Sequence, residues 1–242
     1  MIRSQSYFVR VAETMGNHKI VVYPLSFKWE NNKLIMTRIV IKGSITELTI
    51  RHIDFEQPLI PKKALIDKNG LYRLLPQNGV IAEIGVGVGE NAYSLLASGR
   101  PKKLFLIDCW EYQDPKVYAD DFNVAQVGQD ERYYSVIQKF KDDNRVEVLK
   151  MYSKEAAKKF ADNYFDWIYL DSNHGYEAAK EDLALWYPKV KNGGFIVGHD
   201  YIVFPDFGVL RAVNEFITEH GLALEFLTTK DKFESWAVRK PD

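Results

Sequence analysis

The stretch that most restricts this chain is Val80-Ile81-Ala82-Glu83-Ile84-Gly85-Val86-Gly87-Val88-Gly89-Glu90-Asn91, followed by Leu104-Phe105-Leu106-Ile107-Asp108. An apolar run feeds a glycine-dense turn, a helix follows, and a second apolar run ends in one acid. Glycine is required where backbone takes positive φ or lies close against a ligand. An acid at the tip of the neighbouring strand suits a ribose diol, because both hydroxyls can donate to it. The pair predicts a nucleoside-containing ligand across the carboxyl edge of a parallel sheet.

The glycine spacing narrows the ligand. A dinucleotide fingerprint reads G-x-G-x-x-G and sets a helix N-terminus against a pyrophosphate. In this chain the third glycine comes one position early, at Gly89, and Glu90 stands where the fingerprint wants Gly or Ala. An acid there repels a pyrophosphate and tolerates a cation. Glu83, just before the turn, adds a second negative group, so a sulfonium and an amino-acid ammonium fit better than a phosphate.

With these residues in view, the chain resembles the class I S-adenosylmethionine-dependent methyltransferases, whose first motif reads E-x-G-x-G-x-G. Glu83, Gly85, Gly87 and Gly89 match it position for position, and Asp108 matches the acid ending the second strand. The resemblance implies S-adenosylmethionine as cofactor, with these five residues around it.

The 242 residues suffice for one large domain with an appendage, and 46% hydrophobic with 27% charged residues is ordinary for a globular protein. A formal net charge of -1 argues against nucleic acid held by phosphate neutralisation. The lone Cys109 excludes an intramolecular disulfide and a cysteine-rich zinc site. Met1 to Tyr7 lacks the apolar core of a signal peptide, and no apolar run reaches membrane-span length, so a cytoplasmic protein away from membranes is expected. Aromatic residues at 14% suit a pocket lining or a homo-oligomer interface equally.

The chain divides near Gln57-Pro58. Before it, Lys19 to Trp29, Lys33 to Lys42 and Ser44 to Phe55 read as strands of a small β-rich unit, 1–57, with a hairpin at Glu30-Asn31-Asn32. After it, in 58–242, strands and helices alternate. Lys62 to Leu75 reads as an opening helix. Strands follow at Val80 to Gly85, Lys103 to Asp108, Arg145 to Leu149, Phe165 to Asp171 and Phe195 to Gly198. The connecting helices read as Asn91 to Ser98, Asp130 to Lys141, Lys154 to Asp162, Tyr176 to Tyr187 and Val209 to His220. Ala223 to Thr228 and Trp236 to Arg239 close the chain as an antiparallel hairpin. The expectation is an α/β, Rossmann-like, mostly parallel seven-stranded sheet with helices on both faces.

Ligands of such sheets bind beyond the carboxyl ends of the strands, where polar residues of this chain gather. Trp110 or Met151 could pack on an adenine face and Ser153 could reach an adenine nitrogen, though a Trp or Met there also suits the core. Glu111 to Gln129 reads either as a lid or acceptor wall or as an ordinary connection.

Asp171-x-x-His174-x-Tyr176 and Gly193-Gly194 with His199-Asp200-Tyr201, together with Tyr112-Gln113-Asp114-Pro115, resemble the family-24 methyltransferases over about residues 60 to 240. That resemblance implies O-methylation of a small-molecule acceptor, a sugar or secondary metabolite. Asp171 and Asp200 match two metal ligands of metal-dependent relatives, and hard Mg²⁺ favours such carboxylates. His199 departs from that pattern and suits another divalent metal better. Asp171 reads otherwise as a helix cap, and His199 as a buried hydrogen-bonded side chain. Without a metal, His174 or His199 could take the acceptor proton, His174 being preferred, and Asp171 is expected among both the catalytic and the cofactor-binding residues. Two rivals stand beside this reading: a non-catalytic nucleoside-binding or assembly protein, and a nicotinamide-dependent oxidoreductase, which Glu90 and the terminal hairpin oppose.

Overall fold

A computed structural model describes residues 12–15, 18–21, 26–30, 33–40 and 47–52, and then 58–242 except 116–117, 119–122, 205–206 and 232. The chain divides into two compact units, Met1–Gln57 and Pro58–Asp242.

In the first unit β1 (Ala12–Met15) and β2 (His18–Val21) form an antiparallel ribbon. A separate antiparallel sheet runs β3 (Ser26–Glu30), β4 (Lys33–Val40), β5 (Glu47–His52). The expected hairpin is the β3–β4 pair, closed by Glu30 opposite Lys33. The stretch Lys19 to Trp29, expected as one strand, is divided between β2 and β3, with 22–25 outside the described residues. The expected signal-free start, Met1 to Tyr7, also lies outside them.

The second unit is built on β6 (Lys63–Leu65), β7 (Val80–Ile84), β8 (Lys103–Asp108), β9 (Val146–Lys150), β10 (Phe165–Leu170), β11 (Val190–Gly198), β12 (Leu224–Thr228) and β13 (Trp236–Arg239). They form one sheet of eight strands in the order β6-β12-β13-β11-β10-β7-β8-β9. Only β13 runs against its neighbours, pairing antiparallel with both β11 and β12. The sheet exceeds the expected seven strands because Lys63–Leu65, assigned to the opening helix, instead adds to the edge beside Phe226–Thr228. Helix α1 (Lys68–Leu74) starts only after Asp67, whose side chain accepts from Gly70 N at 2.7 Å and caps it.

The remaining helices are α2 (Glu90–Ser94), α3 (Gln126–Phe140), α4 (Ser153–Ala157), α5 (Tyr176–Trp186) and α6 (Val209–Glu219). Helix α2 runs on through a π-helical turn, Leu95–Gly99. Helix α3 begins four residues before the expected Asp130, while α4 stops at Ala157, short of the expected Asp162. Strand β11 begins at Val190, before Asn192-Gly193-Gly194, so the glycines sit inside an irregular strand instead of a turn. The close approach explains them: a Cβ on Gly194 would lie 2.4 Å from the Asp166 carbonyl oxygen.

Successive strand residues point to opposite faces, and the core follows. Ala82, Ile84, Ile107, Ile168 and Ile196 pack under α4, α5 and α6 with Trp186, Val213 and Phe216. Ile81, Leu104, Leu106, Trp167 and Val197 pack under α1, α2 and α3 with Leu71, Tyr72, Leu95 and Phe140. Glu83 and Tyr169 fall by the same alternation on the α1–α2 face. Strand order reverses at β7, with β8 and β9 on one side and β10 and β11 on the other. A crevice opens at such a reversal, beyond the carboxyl ends of β7 and β10.

Candidate active site

The glycine turn after β7 takes positive φ at Gly85 (86°), Gly87 (55°) and Gly89 (79°), which side-chain-bearing residues rarely adopt. Asp108, at the end of β8, straps this turn. Its Oδ2 accepts from Val86 N at 2.8 Å and Gly87 N at 2.9 Å, and its Oδ1 from Trp110 N at 2.9 Å. A carboxylate offers about four lone-pair sites, so the turn already uses most of them. The expectation that Asp108 receives both ribose hydroxyls narrows to one remaining acceptor direction.

Trp110, expected beside an adenine face, is turned toward the core and is not among the residues lining the cavity. It is buried, its backbone has φ 43°, and its indole N–H donates to the Gly87 carbonyl at 2.9 Å while its ring packs on Tyr133. The left-handed backbone folds the side chain beneath the turn, where it braces the glycines from the core side. Met151 likewise packs against the core.

Glu83 is buried on the strand itself. Asn91 Nδ2 donates to its Oε1 at 3.0 Å, and its Oε2, also buried, has no hydrogen-bond partner. Burial pushes the carboxyl up to about 8; the Asn91 bond opposes this, Asp171 and Asp108 add to it, and Lys68 opposes it.

The edge beyond β9 and β10 is tied by Asp182 of α5. Ser153 and Ser172 both donate their hydroxyls to its carboxylate, and Trp186 Nε1 donates to Ser153 Oγ at 2.8 Å. Burial raises the Asp182 carboxyl, and the two hydroxyl bonds counter it. The Ser153 proton is committed to Asp182, so the Ser153 hydroxyl has only an acceptor lone pair left to offer toward the cavity that it lines.

Beyond β10 and β11, two histidines share one buried carboxylate. His174 Nε2 stands 3.0 Å from Asp200 Oδ2, and His199 Nδ1 stands 3.2 Å from Asp200 Oδ1. Asp171 Oδ1 lies 3.8 Å from each of the same nitrogens. Burial alone would lower the His199 pKa, but the Asp200 bond and the two carboxylates outweigh it and raise it. Burial would raise the Asp200 carboxyl, yet the two imidazoles hold it below the ordinary carboxylate range. Asp171 does not cap α5: the N-cap is Gly175, and Asn173 Oδ1 accepts from its N–H at 2.9 Å. The structure places His174, not His199, with Asp171 and Asp200 as a set of donor atoms within 4.8 Å of one another. Phe207 packs on the His174 ring at 4.4 Å, Phe204 on Phe207 at 4.9 Å, and Phe233 stands edge-on to His199 at 6.2 Å.

These parts surround a cavity of about 940 Å³ lined by Glu83, Gly85, Gly87, Asp108, Ser153, Asp171, His174 and His199. Gly89, Trp110 and Asp200 are not among its lining residues. Sequence reasoning passed over Lys68, Asn91 and Phe233, which also line it. For Asn91 there was a signal, since it follows the turn on the first turn of α2, where a side chain can reach back to Glu83. Of the Glu111 to Gln129 segment, Glu111, Gln113, Tyr118 and Gln129 line the cavity, while 116–117 and 119–122 lie outside the described residues.

A family model described as a methyltransferase domain, of family 24, matches residues 82–201. No curated protein matches the chain. Among solved structures, the O-methyltransferase NovP is similar at 18% identity and a TM-score of 0.50, over 72% of this chain and 76% of its own. A putative rRNA-methylase from Clostridium thermocellum is similar at 15% identity and a TM-score of 0.50, over 72% of this chain and 95% of its own. At these identities the structures speak for the fold.

Proposed function

We propose that this chain, whose residues 82–201 belong to the family-24 methyltransferase domain, transfers a methyl group from S-adenosylmethionine to the hydroxyl of a small-molecule acceptor. The observation that carries the reading is the buried Glu83 oxygen without a partner at the mouth of the glycine turn. A buried acceptor left unmatched is costly, and a ligand ammonium would satisfy it. The cavity of about 940 Å³ sits near the top of the roughly 300–1,000 Å³ range of ligand sites, which leaves room for an acceptor beside the cofactor.

When bound, S-adenosylmethionine supplies an electrophilic methyl on a sulfonium. Glu83 Oε2 would hold its amino group, the glycine turn its amino-acid end, and the remaining Asp108 acceptor direction one ribose hydroxyl. His199 holds Nδ1 toward Asp200, so its Nε2 is the atom that takes the acceptor proton, in the manner of a carboxylate-oriented imidazole. His174 holds the other Asp200 oxygen. Phe233, beside His199 on the cavity wall, excludes water and gives the acceptor an apolar surface. Small-molecule transfer is favoured over nucleic acid by the net charge of -1.

Asp171, His174 and Asp200 support a second reading, in which a divalent ion orients the acceptor oxygen. Two carboxylates and an imidazole suit Mn²⁺, Fe²⁺ or Zn²⁺ better than Mg²⁺. Calorimetry with S-adenosylhomocysteine and NAD, followed by release of S-adenosylhomocysteine across phenolic and sugar acceptors with and without chelator, tests all of this. Binding of the first ligand alone, with turnover insensitive to chelator, is the expected result. NAD binding instead favours an oxidoreductase. Binding without turnover on any acceptor favours a non-catalytic nucleoside-binding protein, and chelator-sensitive turnover favours the metal.

A further inference from the structure

A line of buried polar groups crosses the sheet beneath the crevice and ends on Glu83. Ser235 Oγ lies 3.3 Å from the Tyr169 hydroxyl, and the Tyr169 ring stands edge-on to that of Tyr72 of α1 at 5.6 Å. Tyr72 donates to Asn91 Oδ1 at 3.0 Å, and Asn91 Nδ2 donates to Glu83 Oε1 at 3.0 Å. Tyr72, Tyr169 and Ser235 are fully buried. Each bond fixes the sense of the next. Tyr72 gives its proton to the Asn91 oxygen, so the Asn91 amide can turn only its NH₂ toward Glu83. That leaves Glu83 Oε2 as the unmatched oxygen.

Tyr72 precedes the matched segment 82–201, and nothing in the glycine motif demands it. Tyrosine, where phenylalanine would fill the same apolar space, is a choice that requires a reason. Its ring packs on Trp167 and Tyr169, which accounts for an aromatic there but not for a hydroxyl.

We infer that Tyr72 and Asn91 are positioning residues, which orient Glu83 so that its one unmatched oxygen meets the amino group of the bound cofactor. The inference rests on the methyltransferase reading and extends it to residues that touch neither acceptor nor methyl group. It has a consequence for protons. The groups that act on Glu83 are Lys68 and Tyr72 of α1, Asp108 at the end of β8, Asp171 after β10 and Asn91 of α2, while Tyr169 of β10 lies opposite it in the sheet. Burial above all, with the Asp171 and Asp108 carboxylates adding to it against Asn91 and Lys68, pushes Glu83 up to about 8, so without an ammonium beside it Glu83 keeps its proton near neutral pH. An ammonium ligand favours the carboxylate, and its binding must expel that proton.

The test uses the full chain and two probes. S-adenosylhomocysteine carries the amino-acid end, and 5′-methylthioadenosine lacks it. Calorimetry between pH 6 and 8, in buffers of different ionisation heat, should show S-adenosylhomocysteine releasing about one proton and tightening up to about tenfold per pH unit. Methylthioadenosine affinity should stay flat. Tyr72→Phe, which keeps the ring, should weaken S-adenosylhomocysteine about 2- to 10-fold and spare methylthioadenosine; Asn91→Leu should do the same more strongly and move the pH curve upward. A pH-independent affinity with no proton released by the unaltered protein overturns the inference without recourse to any variant. Equal losses for both probes overturn it too, since they mark a merely structural role. Either result leaves the methyltransferase reading standing if methylthioadenosine binds. Failure of both probes to bind the unaltered protein removes that reading, and this inference with it.

Discussion

Gly85 lies so close to Asp171 that a Cβ built on it would fall 2.0 Å from the Asp171 carbonyl oxygen. The contact is backbone to backbone, so no rotamer change relieves it, and Gly85 has φ 86° besides. The end of β7 and the loop after β10 therefore leave no room for a side chain between them at the floor of the crevice. Gly85→Ala should cost about 1–3 kcal/mol from the strained φ alone, more from the clash, and should abolish S-adenosylhomocysteine binding. Thermal denaturation and calorimetry check this; a variant that keeps both stability and affinity refutes the tight floor.

Trp110→Phe separates two roles for the indole. It leaves the half-buried Gly87 carbonyl without its donor at 2.9 Å, a loss of roughly 0.5–1.5 kcal/mol. We expect a lower melting temperature and a similar weakening of S-adenosylhomocysteine and methylthioadenosine, since the whole turn loosens. A stacking role would instead spare stability and weaken only adenine-bearing ligands, whichever else they carry. Denaturation midpoints compared with affinities for adenosine and homocysteine distinguish the two.

The contrast between these two residues shows what the sequence made legible. Gly85 could be read directly, because a glycine between a strand and a helix needs a backbone reason. The strand–helix alternation was readable for the same kind of reason: Ile81, Leu104 and Trp167 against Ala82, Phe105 and Ile168 follow the two-residue period of a buried sheet. Trp110 could not be placed, because its direction depends on φ 43°, which no periodicity reports. Lys63–Leu65 failed differently. Three residues carry no period, and only pairing with Phe226–Thr228, far along the chain, makes them a strand. The Ser153 bond to Asp182 was not legible because Asp182 belongs to another helix, and a hydroxyl shows no sign in sequence of where its proton goes.

Cys109 lines the cavity, and its thiol is pushed up to about 11 by burial, with the Asp108 carboxylate adding to the effect. Only the thiolate reacts. A raised pKa means that the thiolate appears late as pH rises, so alkylation by iodoacetamide at pH 8 should be roughly a hundredfold slower than for an unhindered cysteine. The rate should climb about tenfold per pH unit up to about pH 11, and S-adenosylhomocysteine should slow it further. Mass spectrometry of the labelled chain reads both effects. Fast labelling at pH 8 would mean that the thiol is neither desolvated nor beside an ionised Asp108.

The two histidines differ in what they offer the acceptor. Both bond to Asp200, at 3.0 Å and 3.2 Å, but His174 presents Nε2 to the carboxylate and packs its ring on Phe207, whereas His199 presents Nδ1. His199 therefore keeps its outer nitrogen for chemistry, with its affinity for protons raised by Asp200 and Asp171. We therefore propose His199 as the base beside the His174 preferred from sequence, which had no means of telling one ring nitrogen from the other. His199→Ala should lower turnover about 10²- to 10⁴-fold, the usual share of a general base, with S-adenosylhomocysteine affinity changed less than about threefold. His174→Ala should cost turnover less, because Asp200 still orients His199 through Oδ1. Single-turnover rates set beside calorimetric affinities decide the matter: a larger loss for His174→Ala returns the base to His174, and equal losses in rate and affinity for both variants remove general-base catalysis from this pair.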